Sequence, residues 1–219
     1  FFNIRPTYNR MSRNILYESA MNGNIYTTTA TNKEYIMQTI GIYGRVSKSF
    51  GWAKTLVGIG ASHNITDYSM LVSGIVNDAR MNTTAVSFDY SLRPARFLSI
   101  EGKSNVNIYK QKNLTAPELS SDPTTDWEHF LKLYVFPAKG WMLSVKNELF
   151  HTNDKSIGIN HFLDLAIAYK AKRWEFSVTA NNLIGTSEFE RRTLGNTIES
   201  YSITRLRPRE VLAKWSMDL

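Results

Sequence analysis

The chain has 219 residues, of which 42% are hydrophobic and 12% aromatic, and a formal charge of +7. That length suits one large domain or two small ones, and no run approaches the roughly 18 uncharged apolar residues of a membrane helix. The absence of cysteine excludes disulfide scaffolds and thiolate metal sites. The basic residues are scattered among carboxylates and collect at turns, which argues against a nucleic-acid partner.

The first residues, Phe1-Phe2-Asn3-Ile4-Arg5-Pro6, lack the basic start, apolar core and small-residue cleavage site of a signal peptide. They read instead as strand. Going forward, ten strands are expected in up-and-down order, at about 1–18, 34–48, 53–66, 80–92, 97–110, 126–136, 141–151, 161–170, 174–183 and 200–219. The warrant is alternation, since only a β-strand has a side-chain period of two. Val86, Phe88, Tyr90 and Leu92 share one face, against Ser87, Asp89 and Ser91. Leu163, Leu165, Ile167 and Tyr169 oppose Asp164, Ala166, Ala168 and Lys170. Trp174, Phe176, Val178 and Ala180 oppose Glu175, Ser177, Thr179 and Asn181. The last stretch alternates to its end, with Val211, Ala213, Trp215, Met217 and Leu219 against Leu212, Lys214, Ser216 and Asp218.

The connections alternate in length. Tight, basic turns at 47–52, 93–97, 137–141 and 170–174 each carry an aromatic at the exit: Trp52, Phe97, Trp141 and Trp174. Longer polar loops are expected at about 19–33, 67–79, 111–125, 152–160 and 184–199. Short turns at one end and long loops at the other, with an aromatic girdle, predict an all-β, antiparallel up-and-down transmembrane β-barrel. The faces agree. Lys146 and Glu148 share a face, as do Glu101 and Lys103, and such charges suit a wet lumen but not the core of a soluble sandwich. The whole of 1–219 reads as a single barrel segment.

The end of the chain also resembles a family. Phe176-Ser177-Val178-Thr179-Ala180-Asn181-Asn182-Leu183-Ile184-Gly185 precedes a polar loop, Arg205-Leu206-Arg207-Pro208-Arg209-Glu210-Val211-Leu212 and a closing strand. This is similar to the end of TonB-dependent outer-membrane receptors, of the type with a carboxypeptidase-regulatory-like domain ahead of the plug. The resemblance implies a barrel of roughly 22 strands, of which this chain is the C-terminal part, with plug domain and TonB box outside it. It implies uptake of a nutrient ligand at the outer membrane of a Gram-negative cell. The partners it implies are lipid and lipopolysaccharide, the plug, TonB and a surface lipoprotein. The family's closing Phe is replaced by Leu219, with Trp215 on the same face.

No catalytic, metal or cofactor site is expected, and no enzyme. His63, His129, His151 and His161 all fall toward the long-loop ends, and His151 and His161 flank one loop as possible cross-strand neighbours. Parity puts these two on the apolar face, which points to the lipid headgroup level and away from a metal site. Asp122, Asp126 and Glu128 read as a solvated acidic loop. No Gly-rich phosphate loop, HExxH or Gly-x-Ser-x-Gly element is present. Candidate ligand contacts are Glu188, Glu190, Arg191 and Arg192, with Tyr109, Lys110, Lys112 and Trp127 flanking the 111–125 loop; the ligand itself is unknown. The alternative is a complete small barrel acting as adhesin, porin or omptin-like rim enzyme, with 1–19 pairing to 200–219. A soluble β-sandwich binding module is the weaker third reading.

Overall fold

The computed structural model of the chain describes all residues except 23, 24, 73, 195–198, 207, 218 and 219. The expected roles of Arg207, Asp218 and Leu219 therefore lie outside the described residues. Fourteen strands are described. They are β1 (Phe2–Arg13), β2 (Leu16–Asn22), β3 (Ile25–Thr31), β4 (Tyr35–Phe50), β5 (Thr55–Val72), β6 (Ile75–Ala95) and β7 (Leu98–Asn113) in the first half. Then follow β8 (Thr124–Val135), β9 (Trp141–Thr152), β10 (Asn160–Lys170), β11 (Trp174–Asn181), β12 (Glu188–Leu194), β13 (Glu199–Arg205) and β14 (Glu210–Met217). Among the described residues no helix is long and apolar enough to cross a membrane, which says nothing of a β-barrel.

Ten strands form one antiparallel meander in the order β1-β4-β5-β6-β7-β8-β9-β10-β11-β14. Among the described residues no pairing joins β1 to β14, so the sheet is open. The other four strands are two hairpins. β2–β3 touches the top of β5 where Glu18 lies opposite Leu71, and among the described residues β12–β13 pairs only with itself.

These hairpins correct the sequence expectation. The stretch 1–18 is two strands, interrupted at Asn14 and Ile15, and 200–219 is two strands broken around Pro208. Proline lacks an N–H and cannot continue a ladder. The expected loops 19–33 and 184–199 contain strands, and in the expected loop 67–79 the residues 67–72 and 75–79 are the extended tops of β5 and β6. Polarity misled there. Segments such as Thr27-Thr28-Thr29 are β-branched and pair well as strands even where both faces are wet.

Register shows what the meander presents. Directly opposed residues share a face, and one face can be followed without interruption through Ile4, Gly44, Ala61 and Val86. It continues through Val106, Trp127 and His151 on β7 to β9. On the far side it runs through Leu143, Ile167, Val178 and Ala213. This face is predominantly apolar in its lower and middle part. The opposite face holds Arg5, Arg45, Asp89, Lys103, Lys132, Lys146, Glu148 and Asp164. Lys146 and Glu148 form an ion pair at 2.7 Å there, as their parity predicts.

Among the described residues no second layer packs over the apolar face. Their buried hydrophobics are Leu16, Tyr68, Leu71, Ala79 and Ile157, all near the long-connection end, where Met37 and Met81 pack on Tyr68 and Ala79. The accessible surface is 14889 Å². A folded soluble monomer of 25.1 kDa would show about 10,300 Å², so this sheet leaves an unusually large area uncovered.

The short connections all lie at one end of the meander. Trp52 sits in a 3-10 turn between β4 and β5, and Phe97 between β6 and β7, while Trp141 and Trp174 open β9 and β11. Trp141 leans on Tyr169 with ring centres 4.8 Å apart, and Trp174 stacks on Trp215 at 5.0 Å. These rings stay exposed, Trp52 at 73% and Trp215 at 63%.

Candidate functional site

At the long-connection end the polar face carries a second kind of surface. Phe130, Phe150 and Phe162 sit on three neighbouring strands, on the face that elsewhere holds charge. Phe189 of the β12–β13 hairpin joins them, edge-on to Phe150 at 5.4 Å and 6.3 Å from Phe162. This cluster anchors the hairpin over β9 and β10. Hydrogen bonds fix the same approach: Asn160 Nδ2 donates to the Glu190 carbonyl at 3.2 Å, and the Gly158 N–H donates to Glu190 Oε2 at 3.3 Å.

Between the hairpin and β8–β9 lies a cavity of about 170 Å³. β8 contributes Asp126 and Glu128, β9 contributes Phe150 and Thr152, and the hairpin contributes Phe189, Glu190 and Arg191. Trp127 and His151 reach its rim, stacked with ring centres 5.2 Å apart. The charges act on one another: Arg191 attracts Asp126, Glu128 repels it, and Thr152 hydrogen-bonds its carboxylate. Tyr109 on β7 feels Asp126, Arg191 and Glu128 together. Glu128 Oε2 accepts from Asn105 Nδ2 at 3.0 Å. Three carboxylates and one guanidinium therefore meet against aromatic walls, an arrangement suited to binding.

Of the residues expected from sequence, Glu190 and Arg191 line this cavity, with Trp127 at its rim. Asp126 and Glu128, read as a solvated acidic loop, are on β8 and inside the site, which corrects that reading; Asp122 stays exposed in the preceding loop. Lys110 and Lys112 do not join it. Opposite Asn82 and Arg80, they share the face of the apolar residues. The Arg192 side chain lies outside the described residues. Phe150, Phe162 and Phe189 were missed, although Phe150 and Phe162 have polar-face parity with Glu148 and Asp164, a signal readable from the sequence.

The histidines hold to the apolar face but not to the suggested pair. His161 is opposite Leu149, and His151 is opposite Trp127. β9 and β10 are in register with Phe150 against Asn160, which leaves His151 and His161 offset along the strands. Three of the four hydrogen-bond a neighbour. His63 Nδ1 hydrogen-bonds Thr84 Oγ1 at 2.8 Å, His129 Nδ1 bonds Ser104 Oγ at 3.0 Å, and Asn147 Nδ2 donates to His161 Nε2 at 2.7 Å. His129 lies in the middle of β8, not toward its loop end. Among the described residues no three His, Asp or Glu come together as metal ligands.

The motif residues near the end have a structural task. Asn182 takes a positive φ of 53°. Its side chain donates to the Thr186 carbonyl at 2.8 Å and accepts from the Thr186 N–H at 3.1 Å. Its own N–H donates to Asp164 at 2.8 Å. Arg209 crosses beneath to donate to the Ile184 carbonyl at 2.9 Å, and Asn181 Nδ2 donates to Glu210 at 3.0 Å. Asn181, Asn182 and Arg209 thus clamp the neck from which the β12–β13 hairpin rises. A comparison of the chain with known protein families, with curated proteins and with solved structures finds no match.

Proposed function

We propose that the chain forms part of the wall of an outer-membrane β-barrel, that of a TonB-dependent receptor taking up a nutrient ligand. The observation that carries the membrane reading is the apolar face: it continues over all ten meander strands, and no layer of the described residues covers it. In water such an area is unfavourable at about 25 cal/mol per Å²; hydrocarbon removes that cost. The dimensions suit. β8, β9 and β10 are 12, 12 and 11 residues long, near the 9–11 or so that a tilted strand needs to cross.

In this reading the short aromatic turns face the periplasm, the polar face lines the lumen, and the hairpins and the cavity stand at the outer mouth. The open edges of β1 and β14 take further strands of a larger barrel, since an unpaired edge cannot remain in lipid. Plug, TonB, lipopolysaccharide and a surface lipoprotein are the partners of that assembly. The transport part rests on the resemblance of 176–219 and on the mouth cavity.

The test uses an antibody against the peptide 200–219 on outer-membrane fractions, boiled and unboiled. A heat-shifting band several-fold heavier than 25.1 kDa is expected. A heat-shifting band at about that mass would replace the transporter with a small complete barrel, whose even strand count allows β1 and β14 to close antiparallel. A protein that stays in solution without detergent would sink both.

A further inference from the structure

The mouth cavity is small for a nutrient. At about 170 Å³ it is close to the roughly 150 Å³ that takes one benzene-sized group, and well below the roughly 300–1,000 Å³ of a site enclosing a whole ligand. It therefore fits one side group of something larger. Its chemistry is unequal in sign. Asp126, Glu128 and Glu190 share the lining with a single guanidinium among the described side chains, Arg191, which acts on Asp126 and on Tyr109. Glu128 takes a hydrogen bond from Asn105, and Glu190 takes them from the Gly158 N–H and the Tyr201 hydroxyl, all neutral donors. Neither carboxylate belongs to an ion pair among the described residues. The described lining thus carries two more carboxylates than guanidinium groups, beside the rings of Phe150 and Phe189. Aromatic faces attract cations through the ring quadrupole, and partial enclosure strengthens both attractions.

We propose that this cavity seats a cationic side group of the ligand, an ammonium or guanidinium on an apolar stem. The inference rests on the reading of this end as the outer mouth of a receptor, and deepens it by naming the ligand chemistry. A neutral sugar is the competitor, because carboxylates and aromatic rings also hold hydroxyls and C–H faces. The excess of carboxylates in the described lining favours the cation.

The test is calorimetric titration of the full-length protein in detergent micelles with Nα-acetyl-L-arginine amide. The neutral Nα-acetyl-L-glutamine amide and methyl β-D-glucoside are titrated beside it. The arginine amide is expected to bind about tenfold or more tighter than either neutral probe, and to weaken with added salt. Glu128→Gln and Glu190→Gln, on two different elements, are each expected to weaken it by about fivefold or more while keeping the heat-shifted band. Equal or tighter binding of a neutral probe, no binding of the arginine amide, or affinity untouched in both variants would overturn the proposal. Binding by a protein without a heat shift would overturn the membrane reading and keep the site. A heat shift without binding would overturn the site alone.

Discussion

Arg45 on β4 grips Asp89 on β6 across the intervening strand, with Nη2 2.7 and 2.9 Å from the two carboxylate oxygens. The strand between them is β5, and the residue beneath the bridge is Gly58. A Cβ there would lie 2.6 Å from Arg45 Nη2 and 2.8 Å from Asp89 Oδ2. The glycine is needed for space, and the pair staples three strands of the polar face. Gly58→Ala is expected to lower the urea midpoint of the folded protein, and to cost much less in an Asp89→Ala background. Equal costs in the two backgrounds would show that Gly58 does not serve the bridge.

Asn182 supports the second hairpin in a different way. Its positive φ is tolerated by asparagine and disfavoured for alanine, and its side chain makes both bonds to Thr186. Asn182→Ala is expected to cost about 2–3 kcal/mol, from lost hydrogen bonds at a buried position plus backbone strain. Asn182→Gly, which relieves only the strain, should cost less. Because the neck positions Phe189 and Glu190, limited proteolysis of Asn182→Ala should cut first within 186–206. Cleavage unchanged from the wild type would refute the clamp.

The meander was legible because its faces differ chemically. Leu163, Leu165, Ile167 and Tyr169 against Asp164, Ala166 and Ala168 leave one register for β10, and the neighbouring strands follow. The two hairpins were not legible, since Ile25–Thr31 and Glu188–Leu194 are polar on both faces and period two carries no signal there. The site was half legible. Glu190 and Arg191 stood out as charges in a loop, but Phe150 and Phe189 meet only through tertiary folding, at a sequence separation that no local pattern encodes. The offset of His151 from His161 was equally hidden, because flanking one loop does not fix the register.

Arg80 and Asp67 brace the top of β5–β6, beyond the apolar band, with contacts of 2.6 and 2.9 Å. The hydrogen bond from Arg80 holds the Asp67 carboxyl below its ordinary value of 3.8, against a smaller opposing effect of burial. A carboxyl depressed on folding contributes stability that is present above its unfolded-state pKa and is lost as pH falls through the folded one. The hairpin should therefore loosen only below about pH 4. Both side chains are more than 40% exposed, so water screens the pair and the change is modest. Amide exchange at 68–72 and 75–79, corrected for intrinsic rates, should lose about two- to threefold protection across that window. Asp67→Asn should show lower protection already at neutral pH and no such step.

Leu165 and Ala166 are adjacent on β10 and point to opposite faces. Leu165 lies between Val145 and Ala180, and Ala166 between Ser144 and Thr179. If the apolar face meets lipid, Leu165→Lys places an ammonium in hydrocarbon at a cost of about 2–4 kcal/mol, whereas the same charge near an interface costs about 0–1. Ala166→Lys enters a wet, charged lumen and should be nearly neutral. The deciding comparison is Tyr169→Lys, on the apolar face but at the aromatic end beside Trp141. Depth-dependent cost, large at Leu165 and small at Tyr169, is a property of a bilayer. A soluble sandwich core would penalise both alike, because its dry interior has no headgroup level for the lysine to reach. Urea midpoints of the three variants folded into lipid vesicles separate the cases, and equal losses at Leu165 and Tyr169 would count against the membrane.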